Sequence, residues 1–335
     1  MTSERPLERN LALELVRVTE AAALHAARWM GLGDKEAADQ AAVDAMRDAL
    51  HFVDMDGVVV IGEGEKDEAP MLYIGERVGT GRPPKVDVAV DPIDGTNLTA
   101  KGLPNAITVV ALAERGSMYY DPDIVYMQKI AVGPEAKGAI DINAPARDNL
   151  VRIARFMERN VEDLTVVVLD RPRHDELITE IRGAGARIKL ITDGDVAGAV
   201  MAALPEDTGV DVLMGIGGTP EAVLAACALR CLGGDIQCKP WPRTDQERQK
   251  ASESGNTDLQ RVLTLDDLVS SEDVFFAASG ITNGEFLKGV RYRGERAETY
   301  SIMMRSRSGT MRRFETHHHI GLKRNLPTGS AYVPD

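Results

Sequence analysis

The chain reads as an α/β protein with a parallel or mixed sheet and helices on its faces. Two observations carry this expectation. From about residue 163 onward, short apolar runs of strand character alternate with segments of helical periodicity, and such a succession packs as helices over a sheet. The chain has 335 residues, 44% of them hydrophobic, which suffices for one large or two modest domains with a sizeable core.

Taken in order, residues 7–30 show helical spacing, with Leu7, Leu11, Leu15, Val18, Ala22 and Trp29 on one face. Gly31 and Gly33 stop that helix, and Asp34 caps a second one that runs to about Leu50. Strands are expected at 57–61, 86–91, 106–113 and 124–132, with the Gly79-Thr80-Gly81-Arg82-Pro83-Pro84 stretch as a turn. A helix follows at 149–158. The alternation then gives a strand at 165–169, a helix at 175–182, a strand at 188–191, a helix at 196–203, a strand at 210–214 and a helix at 220–232. Residues 245–256 are polar and contain glycine, and read as a loop. Strands at 273–279, 298–304 and 311–320 close the chain. A domain boundary is expected near 150–165, dividing the chain into halves at 1–160 and 161–335 that form one contiguous catalytic unit.

Composition excludes several classes. The formal net charge of −13 argues against a nucleic-acid partner, and an anionic substrate then needs local positive charge or a metal. No run approaches the ~20 apolar residues of a membrane span. The N-terminus, Thr-Ser-Glu-Arg-Pro after Met1, lacks the apolar core of a signal peptide. Cys227, Cys231 and Cys238 show neither a CxxC pattern nor a fourth metal ligand, so they read as buried small apolar residues. Their odd number fits a reducing cytoplasm.

The stretch Asp91-Pro92-Ile93-Asp94-Gly95-Thr96 carries the most chemistry. Two carboxylates three residues apart follow an apolar strand, and a hydroxyl stands beside them. Mg²⁺ takes one or two carboxylates together with substrate phosphate oxygens, and a threonine there is placed to orient an attacking water. Metal-assisted phosphate-ester hydrolysis is the reading this motif supports. Further acids, Glu63 with Glu65 after a strand, Asp39 within a helix and Glu221 at a helix start, are ligand candidates. Each taken alone is equally a surface or turn residue.

A second group can bind an anion. Arg171-Pro172-Arg173-His174 follows a strand and either holds a phosphate or opens the next helix. Asp193-Gly194-Asp195 either accepts hydrogen bonds from sugar hydroxyls or caps a helix. Gly215-Ile216-Gly217-Gly218-Thr219-Pro220-Glu221 reads as a glycine-rich turn into a helix, which exposes N–H groups to a phosphate but lacks the P-loop lysine. His317-His318-His319 lie in a strand, where neighbours point to opposite faces, so the three cannot share one ion.

These motifs together resemble a known family. Asp91 to Thr96 is similar to the motif of the Mg²⁺-dependent, lithium-sensitive phosphatases. The run from Ile61 to Glu76, Arg171 to Asp175, Asp193 to Asp195, Gly215 to Glu221 and Ala278-Ser279-Gly280-Ile281-Thr282 resemble the class II, GlpX-type fructose-1,6-bisphosphatases. That resemblance implies an alternating αβαβα layered sandwich of the sugar-phosphatase type, with a metal-binding N-terminal half and a sugar-phosphate-binding C-terminal half. It implies Mg²⁺ or Mn²⁺ held by Asp39, Glu63, Asp91, Asp94 and Glu221. It implies substrate contacts from Asp94, Gly95, Thr96, Tyr126, Arg171, Pro172, Arg173, Asp193, Gly194, Asp195 and Gly218. Thr96 is expected to orient the water, with Asp39 or Glu63 as the acid that deprotonates it. The implied reaction is removal of the 1-phosphate of fructose 1,6-bisphosphate in sugar-phosphate metabolism, by a cytoplasmic homodimer or homotetramer. Action on sedoheptulose 1,7-bisphosphate is an alternative, and a non-catalytic sugar-phosphate sensor is another.

Overall fold

The structure is a computed structural model that describes residues 11–64, 71–204, 208–244, 247–249 and 258–323. Glu65, the rest of the 65–70 stretch and most of the 245–256 loop lie outside the described residues. The strands in chain order are β1 (Asp56–Ile61), β2 (Arg77–Val78), β3 (Lys85–Asp94), β4 (Ile107–Glu114), β5 (Tyr126–Val132), β6 (Thr165–Leu169), β7 (Arg187–Ile191), β8 (Val212–Gly218), β9 (Asp235–Pro240), β10 (Leu263–Thr264), β11 (Phe275–Gly280), β12 (Arg291–Arg293), β13 (Arg296–Arg305) and β14 (Thr310–His319). The principal helices are α1 (Leu11–Ala26), α2 (Lys35–His51), α3 (Thr96–Lys101), α4 (Ala146–Phe156), α5 (Asp175–Ala184), α6 (Asp195–Ala202) and α7 (Thr219–Leu232). The fold is mixed α/β with two mixed sheets, as a layered α/β phosphatase fold requires.

Two compact units share the chain: one takes the residues up to Met118 and those from Ser271 on, the other is Tyr119–Ser270. The boundary read near 150–165 falls inside the second unit, because β5 pairs with β8 and β9. The return of the chain to the first unit is a long-range event that local periodicity does not encode.

In the first unit eight strands run in the order β12-β13-β11-β4-β3-β1-β2, with β14 on β13. β1 and β3 are parallel, and the remaining pairs are antiparallel. α1 and α2 lie against this sheet, burying Leu15, Leu24, Met46 and Leu50 with Val59, Val88, Leu112 and Phe275. Leu11–Ala26 is shorter than the expected 7–30 helix; it tightens into a 3₁₀ turn at Ala27–Trp29. Asp34 caps α2 as expected, accepting from the Ala37 N–H at 3.0 Å. Polar groups inside this core are paired: Ser279 bridges Thr19 and Ser301, and Thr299 joins Glu20 to His318. His318 is therefore an inward structural residue, while His317 and His319 face outward on β14.

In the second unit the order is β10-β9-β5-β8-β6-β7, with β6 parallel to both β7 and β8. Val166, Val168 and Met214 pack with Leu150, Ile153 and Ile178 of α4 and α5. The alternate residues Val167 and Leu213 approach Gly198 of α6. The two faces are thus both covered, which explains why these strands are apolar without interruption. All three cysteines are buried free thiols.

Candidate active site

In the first unit, Asp91 and Asp94 do not sit in a turn after the strand. β3 continues through Asp94, and its pairing with β4 slips between Asp91↔Val109 and Asp94↔Ile107. Three steps on β3 oppose two on β4, which is a β-bulge, a device that re-aims side chains. Directly opposed residues share a face, and Val109 and Ile107 are two apart, so the bulge turns Asp91 and Asp94 to the same face. Asp91 Oδ1 also accepts from the Ile93 N–H at 3.0 Å, fixing the local bend. Gly95 then adopts φ +102°, which a side chain rarely tolerates, and starts α3. Thr96 is the first residue of that helix, half-buried, with its hydroxyl donating to the Ile93 carbonyl at 3.3 Å.

Glu63 follows β1, the parallel neighbour of β3, and the register Ile61↔Ala89 brings it out at the same sheet end as Asp91. Its loop is braced. The Glu63 N–H donates to the Leu72 carbonyl at 3.0 Å, and the Leu72 N–H donates to the buried Glu76 carboxylate. Glu76 in turn accepts from Arg47 Nε at 2.6 Å. Arg47 is on α2, two turns beyond Asp39, and α2 packs on β3 and α3. Burial raises the Asp39 pKa above the ordinary carboxylate value.

In the second unit, Tyr126, Arg171, Pro172, Arg173, Asp193, Gly194, Asp195, Gly218 and Glu221 belong to the ends of β5, β6, β7 and β8 and to the segments that follow them. Gly215 to Gly218 is not a turn. It is the end of β8, paired with Tyr126 to Lys129 of β5, and α7 begins at once with Thr219. The glycines are needed because side chains press on this backbone. A Cβ on Gly218 would lie 1.9 Å from Glu221 Oε2, and one on Gly217 would lie 1.9 Å from Asp195 Oδ2. Asp195 does not cap α6; its carboxylate pairs instead with Lys129 Nζ at 2.6 Å.

Arg173 and His174 clamp one residue of β8. Arg173 donates from Nε and Nη2 to the Ile216 carbonyl at 3.2 and 2.8 Å, and His174 Nε2 accepts the Ile216 N–H at 2.7 Å. The other ring nitrogen, Nδ1, donates to the Leu169 carbonyl at 2.7 Å. Burial lowers the His174 pKa, consistent with a neutral ring that donates once and accepts once. The Arg173 guanidinium lies 5.5 Å from the Tyr126 ring. Burial, and then the neighbouring Arg171 charge, press its pKa down despite Tyr126. A guanidinium that stands beside a second positive charge favours an anion nearby.

The donor set fits a hard divalent cation. All five ligand candidates are carboxylates, and Glu221 Oε2 is buried without a hydrogen-bond partner among the described residues. Burial, then the charge of Asp195, raises the Glu221 pKa, and Lys129 offsets this in part. Such an oxygen is costly unless something positive meets it. Among the described residues no three His, Cys, Asp or Glu side chains stand close enough together to hold an ion. Lys129 was not singled out in the sequence, and His174 and Glu76 stood there only as members of longer motifs with no role of their own. Their one signal is a polar residue inside an apolar or motif-rich run.

The bulged acidic strand end in the first unit and the glycine-cradled carboxylates in the second are groups that a phosphoric monoester hydrolase can use. Residues 9–318 match the family model described as bacterial fructose-1,6-bisphosphatase, glpX-encoded. The chain is similar to a fructose-1,6-bisphosphatase class 2 of Haemophilus influenzae, 48% identical over 94% of this chain and 97% of that protein. It is likewise similar to fructose-1,6-bisphosphatase 1 class 2 of Escherichia coli K12, 46% identical over 95% of this chain and 97% of that one. The chain belongs to the GlpX-type class II fructose-1,6-bisphosphatase family, whose named members are phosphoric monoester hydrolases. No helix among the described residues is long and apolar enough to cross a membrane.

Proposed function

We propose that the chain hydrolyses the 1-phosphate of fructose 1,6-bisphosphate, with Mg²⁺ or Mn²⁺ held by Asp39, Glu63, Asp91, Asp94 and Glu221. The observation that supports the metal most directly is the buried, unpartnered Glu221 oxygen lying against Gly218. When bound, the ions supply Lewis acidity and neutralise phosphate charge. Thr96 positions the attacking water through its hydroxyl, and Asp39 or Glu63 takes its proton. Arg171 and Arg173 hold the distal phosphate, and Arg173 keeps free N–H groups after those given to Ile216. Asp193 and Asp195 receive sugar hydroxyls, and Tyr126, Gly95 and Gly218 complete the substrate contacts.

The test is phosphate release from fructose 1,6-bisphosphate with Mn²⁺ and with Mg²⁺. No release with either ion refutes the reading and leaves the sensor alternative. The same assay with sedoheptulose 1,7-bisphosphate sets the carbon-chain range. We read the enzyme further as a cytoplasmic homodimer or homotetramer, which light scattering on the purified chain checks.

A further inference from the structure

Lys129 occupies a place where a strand normally carries an aliphatic residue. It is mid-strand on β5, flanked by β8 and β9, and 3% exposed. Along the strand Met127, Ile130, Ala131 and Val132 are buried and apolar, while Gln128 points outward and is exposed. An ammonium there is very costly unless its countercharges are close. One is close: Asp195 Oδ2 lies 2.6 Å away. Burial by itself would lower the Lys129 pKa, but Asp195, Glu221 and the hydrogen bond to Asp195 outweigh it and hold the ammonium charged. Cys238, the β9 residue opposite, is not a third countercharge, since burial pushes its thiol up to about 12.

The surrounding backbone is cut to fit this pair. A Cβ on Gly217 would stand 1.9 Å from Asp195 Oδ2 and 2.9 Å from Lys129 Nζ. Gly217 is the diagonal neighbour of Lys129 across the β5–β8 ladder. Asp195 is the first residue of α6, reached through Gly194 in the left-handed region, so its carboxylate depends on an outside partner for its direction.

We propose that Lys129 is a positioning residue for substrate: through its 2.6 Å contact it fixes the direction of the Asp195 carboxylate that receives a sugar hydroxyl. This rests on the function proposed above. Lys129 acts through Asp195 and does not itself touch the reacting phosphate, so its removal loosens substrate binding more than it slows the chemistry. The guanidinium pair, by contrast, grips phosphate independently of Lys129.

The experiment measures kcat and KM for fructose 1,6-bisphosphate with Mn²⁺ in wild type, Lys129→Met, Asp195→Asn and the double variant. Lys129→Met is expected to raise KM at least tenfold with kcat within threefold of wild type. The double variant is expected to match the KM of Asp195→Asn, because a residue acting only through Asp195 has nothing left to position. A soluble Lys129→Met enzyme with the wild-type KM overturns the proposal and shows the pair to be structural. A double variant whose KM rises by the product of the single effects also overturns it. Should Lys129→Met fail to fold, Lys129→Gln, whose shorter uncharged donor reaches Asp195 less well, is measured in its place: a KM raised at least threefold with kcat within threefold of wild type is expected, and a wild-type KM overturns the proposal. Wild type that releases no phosphate refutes the function itself, and this role with it, whereas active wild type with unmoved variants refutes only the role of Lys129.

Discussion

Replacing Gly218 with alanine separates metal binding from stability, because the two respond in opposite directions. The Gly218 backbone has φ −64° and ψ 151°, an ordinary extended conformation, so alanine introduces no backbone strain. Restricting the unfolded chain should instead stabilise the protein by about 0.4–1 kcal/mol. The new Cβ, however, would lie 1.9 Å from Glu221 Oε2. A carbon and an oxygen need ~3.3 Å, about the contact distance for non-bonded atoms, so the carboxylate must shift by more than about 1 Å. Metal–oxygen distances tolerate about ±0.2 Å, and a displaced ligand no longer serves. The loss should be about 100-fold in Mn²⁺ affinity, the upper end of what disturbed outer-shell partners cost, or about 2.7 kcal/mol.

Unfolding followed with and without Mn²⁺ reads both effects. The metal-free variant should melt at or above the wild-type temperature, because a buried, partnerless oxygen moves toward water. The shift produced by saturating Mn²⁺ should shrink by the equivalent of ~2.7 kcal/mol, since a ligand stabilises by RT ln(1 + [L]/Kd). Titration calorimetry gives the Kd directly. A variant that is less stable without metal yet binds Mn²⁺ as wild type would refute the reasoning. Glu221 would then be a structural acid and Gly218 merely a close-packed residue.

Three further outcomes follow from the same geometry. Thr96→Ala should lower kcat at least 100-fold, about 2.7 kcal/mol in the barrier, with the unfolding midpoint unchanged; near-wild-type kcat would remove Thr96 from the reaction. Glu76→Gln should weaken Mn²⁺ binding about tenfold, because the Arg47–Glu76–Leu72 brace that sets the Glu63 loop is lost; calorimetric titration checks it. His174→Phe should cost about 2–3 kcal/mol in urea unfolding at pH 7.5, the penalty for stranding the Ile216 N–H. The folded-state pKa of His174 is lowered from 6.5, chiefly by burial, so its contribution is fully present above pH 6.5 and fades as pH falls below it. The gap between wild type and His174→Phe should therefore narrow from pH 7.5 to pH 5, and a constant gap would contradict the neutral-ring assignment.

Much of the fold was legible because its signals are local. Asp34 announced its cap, the βα alternation from residue 165 to 232 came from strands and helices with distinct periods, and Asp91 to Thr96 sat at a strand end as expected. What escaped depended on partners far away in sequence. Gly215 to Gly218 looked like a turn because glycine ordinarily breaks strands. The β5 ladder nevertheless carries β8 through all four residues. β2, β9, β10 and β12 were not foreseen; β2, β10 and β12 are only two or three residues long, and β9, Asp-Ile-Gln-Cys-Lys-Pro, alternates only weakly and depends on β5 for its pairing. The three cysteines and the histidine triplet, in contrast, took the plain structural roles that their spacing allowed.

The candidate site shows the same division more sharply. Its acids stand out because carboxylates beside apolar strands are rare enough to notice. Its supports do not, because a lysine in a strand or a glutamate in a loop is ordinarily a surface residue. Lys129, His174 and Glu76 gain meaning only from what lies opposite: a buried aspartate, the Ile216 N–H with the Leu169 carbonyl, and a left-handed Leu72. The glycines at 217 and 218 connect the two levels. In the sequence they suggest freedom of the backbone, yet neither adopts a positive φ. Their function is the absence of a side chain, which lets the Asp195 and Glu221 carboxylates rest against β8 where a single methyl would evict them.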